Sequence, residues 1–213
     1  MAAECHTAPP ALHVEGLCFS YPQHTLFAQW SAQFGPGLTL VLGGDGRGKT
    51  TLLRLLAGVL APQAGRLHLN GQDSRQAGHC PQVFWADPQS TDWDQHTPRA
   101  YMAQQSAVWP RFNPGLWYEL AEALALTPHL DKPMFMLSTG SQRKVWLATA
   151  FAAGAPVTLL DTPFAALDRT SIQVVQELLH DAADDTTHIW VLADSTPPGD
   201  ADDLPLAGVV SLD

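Results

Sequence analysis

Residues 43–50, GGDGRGKT, fit the pattern G-x-x-x-x-G-K-[ST] and stand between an apolar run, LTLVL (38–42), and a helical pattern that begins KTTLLRLL at Lys49. A strand apolar on both faces has to be covered on both, so strand, tight glycine turn and helix in that order restrict the chain to α/β folds. The turn also has a chemistry. Its glycines let backbone N–H groups converge on phosphate oxygens at a helix N-terminus, so Gly43, Gly44, Asp45, Gly46, Arg47 and Gly48 form a cradle. Lys49 would reach the β- and γ-phosphates and Thr50 would give a hydroxyl to Mg²⁺, with Thr51 beside it in the first helical turn.

The surrounding pattern agrees with a parallel sheet. Strands are predicted at 12–21, 25–34, 38–42, 65–71, 83–86, 157–161, 188–194 and 208–212, and helices from Lys49 onward, at 115–126, 141–154 and 169–181. Strands alternating with helices imply crossover connections. Residues 97–137 carry mainly helical patterns and read as an inserted subdomain. The reading is therefore an α/β fold with a P-loop, RecA-like core, an N-terminal antiparallel β region and a helical insertion. Approximate limits are 11–89 and 139–213 for the core and 90–138 for the insertion.

Composition excludes several alternatives. With 213 residues, 46% of them hydrophobic, the chain can build a sizeable core. A formal charge of −10 argues against a nucleic-acid-binding face, which needs clustered Lys and Arg. The most apolar stretch, WLATAFAAGAPVTLL (146–160), is too short to span a bilayer and is interrupted by Gly154 and Pro156. Cys5, Cys18 and Cys80 have no metal-like spacing, with His79 beside Cys80 a coincidence, and no secretory pattern precedes them, so reduced thiols are expected.

A second chemical element is VTLLD (157–161), which puts Asp161 at the C-terminal end of a buried strand, where ligands of open α/β sheets collect. Its expected role is to hold Mg²⁺ through water. Upstream of it, LSTGSQRKV (137–145) is similar to the L-S-G-G-Q signature of one family, at the family's distance before the Asp161 strand. With these elements, nearly the whole chain resembles the nucleotide-binding subunits of ATP-binding-cassette (ABC) transporters.

That resemblance implies further roles. Ser138 and Gly140 would contact the γ-phosphate of a nucleotide held by another subunit, while Thr139 and Ser141 replace the family's glycine and glutamine. Tyr21 stands where an aromatic stacks on adenine. Gln89 stands at the Q-loop position, sensing Mg²⁺, with Gln82 as its competitor. Asp168, in FAALD, matches the D-loop, and capping of helix 169–181 explains it nearly as well.

Two positions depart from the family. Thr162 replaces the glutamate that polarises the attacking water, and Asp194 replaces the switch histidine. A threonine cannot act as a base near neutral pH, and a carboxylate repels a γ-phosphate, so the catalytic set Gln89, Thr162 and Asp194 implies weak hydrolysis. His188, at the other end of its strand, is no substitute. The resemblance implies Mg-ATP as ligand, a second nucleotide-binding subunit docked head to tail, and transmembrane permease subunits as partners. It places the chain in the cytoplasm, peripheral at the inner face of the cell membrane. A hydrolysis-deficient regulatory switch paired with a competent sister is the alternative function. Trp85, Trp93, Trp109 and Trp117 fall around the helical insertion, as core or as the wall of a groove for a partner helix.

Overall fold

The computed structural model describes residues 10–73, 82–197 and 204–213. Cys5, His79 and Cys80 lie outside the described residues. Cys18 is a free thiol.

Two sheets share one core. The first is antiparallel, with order β2-β1-β4-β5: β1 (Leu12–Tyr21), β2 (His24–Phe34), β4 (Ala64–Leu69) and β5 (Gln72–Asp73). The second is parallel, with order β6-β7-β8-β3-β9: β3 (Gly37–Leu42), β6 (Val83–Trp85), β7 (Val157–Asp161), β8 (Ile189–Asp194) and β9 (Gly208–Ser211). Between them runs α1 (Lys49–Leu56), whose Leu52, Leu53, Leu55 and Leu56 are all fully buried. Four leucines close together on an eight-residue helix suit an element covered by a sheet on either side, and each contributes about 1.5–3 kcal/mol by leaving water.

Strand alternation assigns each face of the parallel sheet. Val157 and Leu159 of β7 and Ile189, Val191 and Ala193 of β8 pack with α1, whereas Leu160, Trp190 and Leu192 face a second core. That second core is made by α2 (Pro98–Val108), α3 (Pro114–Ala123), α4 (Thr139–Ala152) and α5 (Arg169–Ala183). Register then brings the chemistry to one edge. Leu42 pairs with Asp194 and Asp161 with Ala193, so the loops that leave β3, β7 and β8 emerge together at the C-terminal ends of their strands.

Boundaries differ from the sequence pattern where caps decide them. Helix α4 starts at Thr139 rather than 141, because the Ser138 side chain accepts a hydrogen bond from Ser141 N and acts as its N-cap. It closes where expected, at left-handed Gly154. Helix α3 starts on the Asn113 cap and ends at Ala123, and Ala125 turns left-handed just beyond it, so the predicted continuation to 126 is cut short. Between 97 and 137 the chain forms α2, α3 and two short 3₁₀ turns, Thr127–His129 and Met134–Met136.

Candidate functional site

The phosphate loop joins β3 to α1. Gly48, at φ 95°, occupies the N-cap with no side chain to satisfy the helix amides, so the first N–H groups of α1 remain available to an anion. Lys49 is buried, and its Nζ donates to the carbonyl oxygens of Gly43 and, at 2.9 Å, of Gly44. The ammonium is thus folded along the loop it belongs to.

Thr50 Oγ1 donates to Asp161 Oδ2 at 2.7 Å, bringing together a hydroxyl and a carboxylate from elements 111 residues apart. Burial pushes the Asp161 carboxyl up from its ordinary value, and the Thr50 hydrogen bond and the charges of Arg143 and Lys49 oppose that push. A hydroxyl and a carboxylate oxygen that converge at 2.7 Å are the hard oxygen donors that suit a divalent ion. Proton and metal would compete for Asp161, and a raised pKa would move that competition to higher pH. Mg²⁺-dependent nucleotide binding is therefore expected to fall on acidification, starting above the ordinary carboxylate value of 3.8. A titration of nucleotide with and without Mg²⁺ across acidic pH checks this. A Mg²⁺-dependent component constant down to 3.8 would contradict it.

Around these residues lies a cleft of about 480 Å³, lined among others by Tyr21, Asp45, Lys49, Gln89, Thr162 and Ser195. Tyr21 is 43% exposed at the margin, with its hydroxyl 3.4 Å from Thr51 Oγ1. Gln89 follows Asp87, which accepts from the Gln89 N–H at 2.9 Å and pairs with Arg54 at 3.0 Å. Gln82 lies elsewhere, donating to Gln72 Oε1. Arg47 points out of the loop to Asp213, 3.1 Å away, both side chains more than half exposed.

Thr162 lines this cleft and Asp194 does not. Thr162 has φ 43°, a left-handed conformation rare for a β-branched residue, and its N–H donates to Ala193 O at 2.8 Å. Asp194 lines a neighbouring cleft of about 560 Å³ shared with Thr162 and Ser195, and its Oδ1 accepts from the Ser195 N–H at 2.7 Å. The carboxylate is turned toward its own loop.

Ser138 and Gly140 are absent from both clefts. A Cβ on Gly140 would run into the carbonyl oxygen of Ala166, so the start of α4 is packed against the loop after β7. The same loop ends in Asp168, which caps α5 through Ser171 N at 2.9 Å and takes a 2.5 Å ion pair from Lys144 of α4. Those bonds hold the Asp168 carboxyl well below its usual range. Capping and a link between α4 and α5 are both present.

One residue in the cleft was missed by sequence reasoning. Arg143 Nη1 donates to the carbonyl oxygens of Asp161 at 3.0 Å and of Thr162 at 2.5 Å, and lies 3.4 Å from Thr162 Oγ1. The available signal was a charged residue within a largely apolar helix, one turn beyond Gly140.

A family model described as "ABC transporter" matches residues 28–165. The chain belongs to the ABC transporter family. Among its relatives, the cytochrome c biogenesis ATP-binding export protein CcmA of Rhodospirillum rubrum is 36% identical over 210 residues, covering 90% of this chain and 84% of that protein. The taurine import ATP-binding protein TauB of Pseudomonas entomophila is 33% identical over 172 residues, covering 79% and 66%. The fold matches an ABC transporter ATP-binding protein from Pyrococcus furiosus with a TM-score of 0.75 and 19% identity, over 95% of this chain and 97% of that one. This ABC protein is the ATP-binding subunit of a transporter, with the P-loop α/β architecture read from its sequence. Among the described residues no helix is long and apolar enough to cross a membrane.

Proposed function

We propose that this ABC subunit binds Mg-ATP firmly and hydrolyses it slowly, using nucleotide-driven closure rather than rapid turnover to move its membrane partners. One observation carries the reading: Lys49, Thr50 and Asp161, the residues proposed for phosphate and Mg²⁺, line one cleft, and the residue after Asp161 is Thr162 instead of a base. Asp194, held on the Ser195 amide, supplies none. Lys49 and the loop amides of Gly43 to Gly48 would hold the phosphates, Tyr21 the base, and Thr50, Asp161 and Gln89 the Mg²⁺, which neutralises phosphate charge when bound.

Its own Ser138 and Gly140 do not reach this cleft, which favours a second nucleotide-binding subunit docked head to tail, each signature serving the other's phosphates. A competent sister would make this chain the regulatory half of a pair. Relatives named for export and for import match at nearly equal identity, so the proposal stops at the energy-coupling role. A groove of about 330 Å³ lined by Phe84, Trp85, Trp93, Tyr101, Trp109 and Trp146 is the proposed seat of a permease helix. Among its lining residues is Trp85, whose buried Nε1 has no hydrogen-bond partner among the described residues.

Replacing the buried ammonium tests the nucleotide site. Lys49→Ala is expected to weaken ATP binding at least about tenfold, since hydrogen bonds to charged groups contribute roughly 1.5–3 kcal/mol. Calorimetric titration of wild type and variant measures it. Matching curves would sink the reading.

A further inference from the structure

We propose that Arg143 is a nucleotide-binding residue that gives its guanidinium to the terminal phosphate of a nucleoside triphosphate held in its own cleft. The inference rests on the nucleotide reading above and adds to it a residue from the signature helix.

The argument starts from unspent hydrogen-bonding capacity. Guanidinium carries five N–H donors in a planar fork suited to phosphate oxygens. In Arg143 one nitrogen, Nη1, bonds to two backbone carbonyls, while Nε is buried without a partner. Arg143 forms no ion pair among the described residues. A part-buried cation bonded only to neutral oxygens, two carbonyls and the Thr162 hydroxyl, has its desolvation offset only by the charges of Asp161 and Asp194, and an anion entering the cleft would offset it further.

Position then selects the anion. Arg143 shares the wall of the 480 Å³ cleft with Lys49, Thr50, Asp161 and Thr162. Its charge and that of Lys49 both act on Asp161, so the two cations flank the carboxylate proposed to hold Mg²⁺. Its charge is felt at Asp194 as well. Where Thr162 offers no carboxylate to pair with, this arginine is left facing the end of the cleft at which the last phosphate arrives. Charge on that phosphate grows as its bond breaks, so the same contact would serve slow hydrolysis.

A purely mechanical role, bracing the loop after β7 through its carbonyls, predicts no preference among nucleotides. Titrating ATP and ADP with Mg²⁺ into wild type, Arg143→Ala and Arg143→Gln separates the two. The phosphate contact predicts that Arg143→Ala weakens ATP binding about tenfold and ADP binding less than about twofold. Arg143→Gln keeps donors for the carbonyls without the charge, so it should show the same selective loss in a chain that folds even if Arg143→Ala does not. Equal losses for both nucleotides, or ATP binding unchanged in either folded variant, would overturn the proposal. Wild type binding neither nucleotide would instead refute the underlying nucleotide reading, and Lys49→Ala weakening both ligands is the control that tells these failures apart.

Discussion

Thr162→Glu is expected to raise ATP turnover about a hundredfold, the lower end of the roughly 10²–10⁴ that a positioned general base contributes. The lower end is chosen because the new carboxylate meets Arg143, whose guanidinium already bonds to the carbonyl and approaches the hydroxyl of residue 162. An ion pair stabilises the carboxylate and makes it a weaker base. The backbone should accept the change. Thr162 adopts φ 43° as a β-branched residue, and an unbranched side chain relieves part of that strain. Adding Asp194→His should increase the rate again, but non-additively, since both groups act on one phosphate. Thr162→Gln, with no base, should stay at the wild-type rate. Steady-state phosphate release, on protein free of contaminating ATPase, decides. If wild type already matches Thr162→Glu and Asp194→Ala abolishes the rate, then Asp194 is the base and slow hydrolysis is refuted.

Trp117→Ala is expected to destabilise the protein by about 3–5 kcal/mol, the usual range for deleting a large buried aromatic. Trp117 is fully buried between α3 and α4, and its indole Nε1 donates to Thr149 Oγ1 at 3.0 Å. Thr149 keeps its own bond to Val145 O at 2.8 Å, so the loss is of packing rather than of a stranded donor. Trp117→Phe should accordingly cost less, because it keeps most of the ring volume. The urea midpoints of the variants measure this, and a shift for Trp117→Ala worth under about 1 kcal/mol would contradict it. Such a result would mean that α3 packs loosely on α4.

The cleft's residues and the helical core are coupled through α4. That one helix carries Ser138 and Gly140 at its start, Arg143 one turn later and Thr149 in the core. Lys144, beside Arg143, reaches Asp168 and so ties α4 to α5. Movement of the start of α4, as the proposed docking of a second subunit would cause, would therefore be felt at Arg143, in the cleft it shares with Lys49 and Asp161.

Much of this protein is determined by local sequence. Two-sided apolar strands such as LTLVL and VTLLD can be satisfied only inside a covered parallel sheet, and the pattern GGDGRGKT needs no distant partner to form its turn. Helix limits depended on caps that are local but ambiguous until formed: Ser138, Asn113 and Asp168 each accept from an amide three residues on. What the tertiary structure alone decided is which side chains meet. Thr50 and Asp161 touch because β3 and β7 both flank β8, a fact of strand order. Asp194 lines a neighbouring cleft rather than the one around Lys49, and its carboxylate is taken up by the adjacent Ser195 amide. Arg143 enters the site because the helical phase set by the Ser138 cap turns it toward Asp161 and Thr162, eighteen and nineteen residues away along the chain. Phase relative to a distant strand is a property of packing, and no window of sequence contains it.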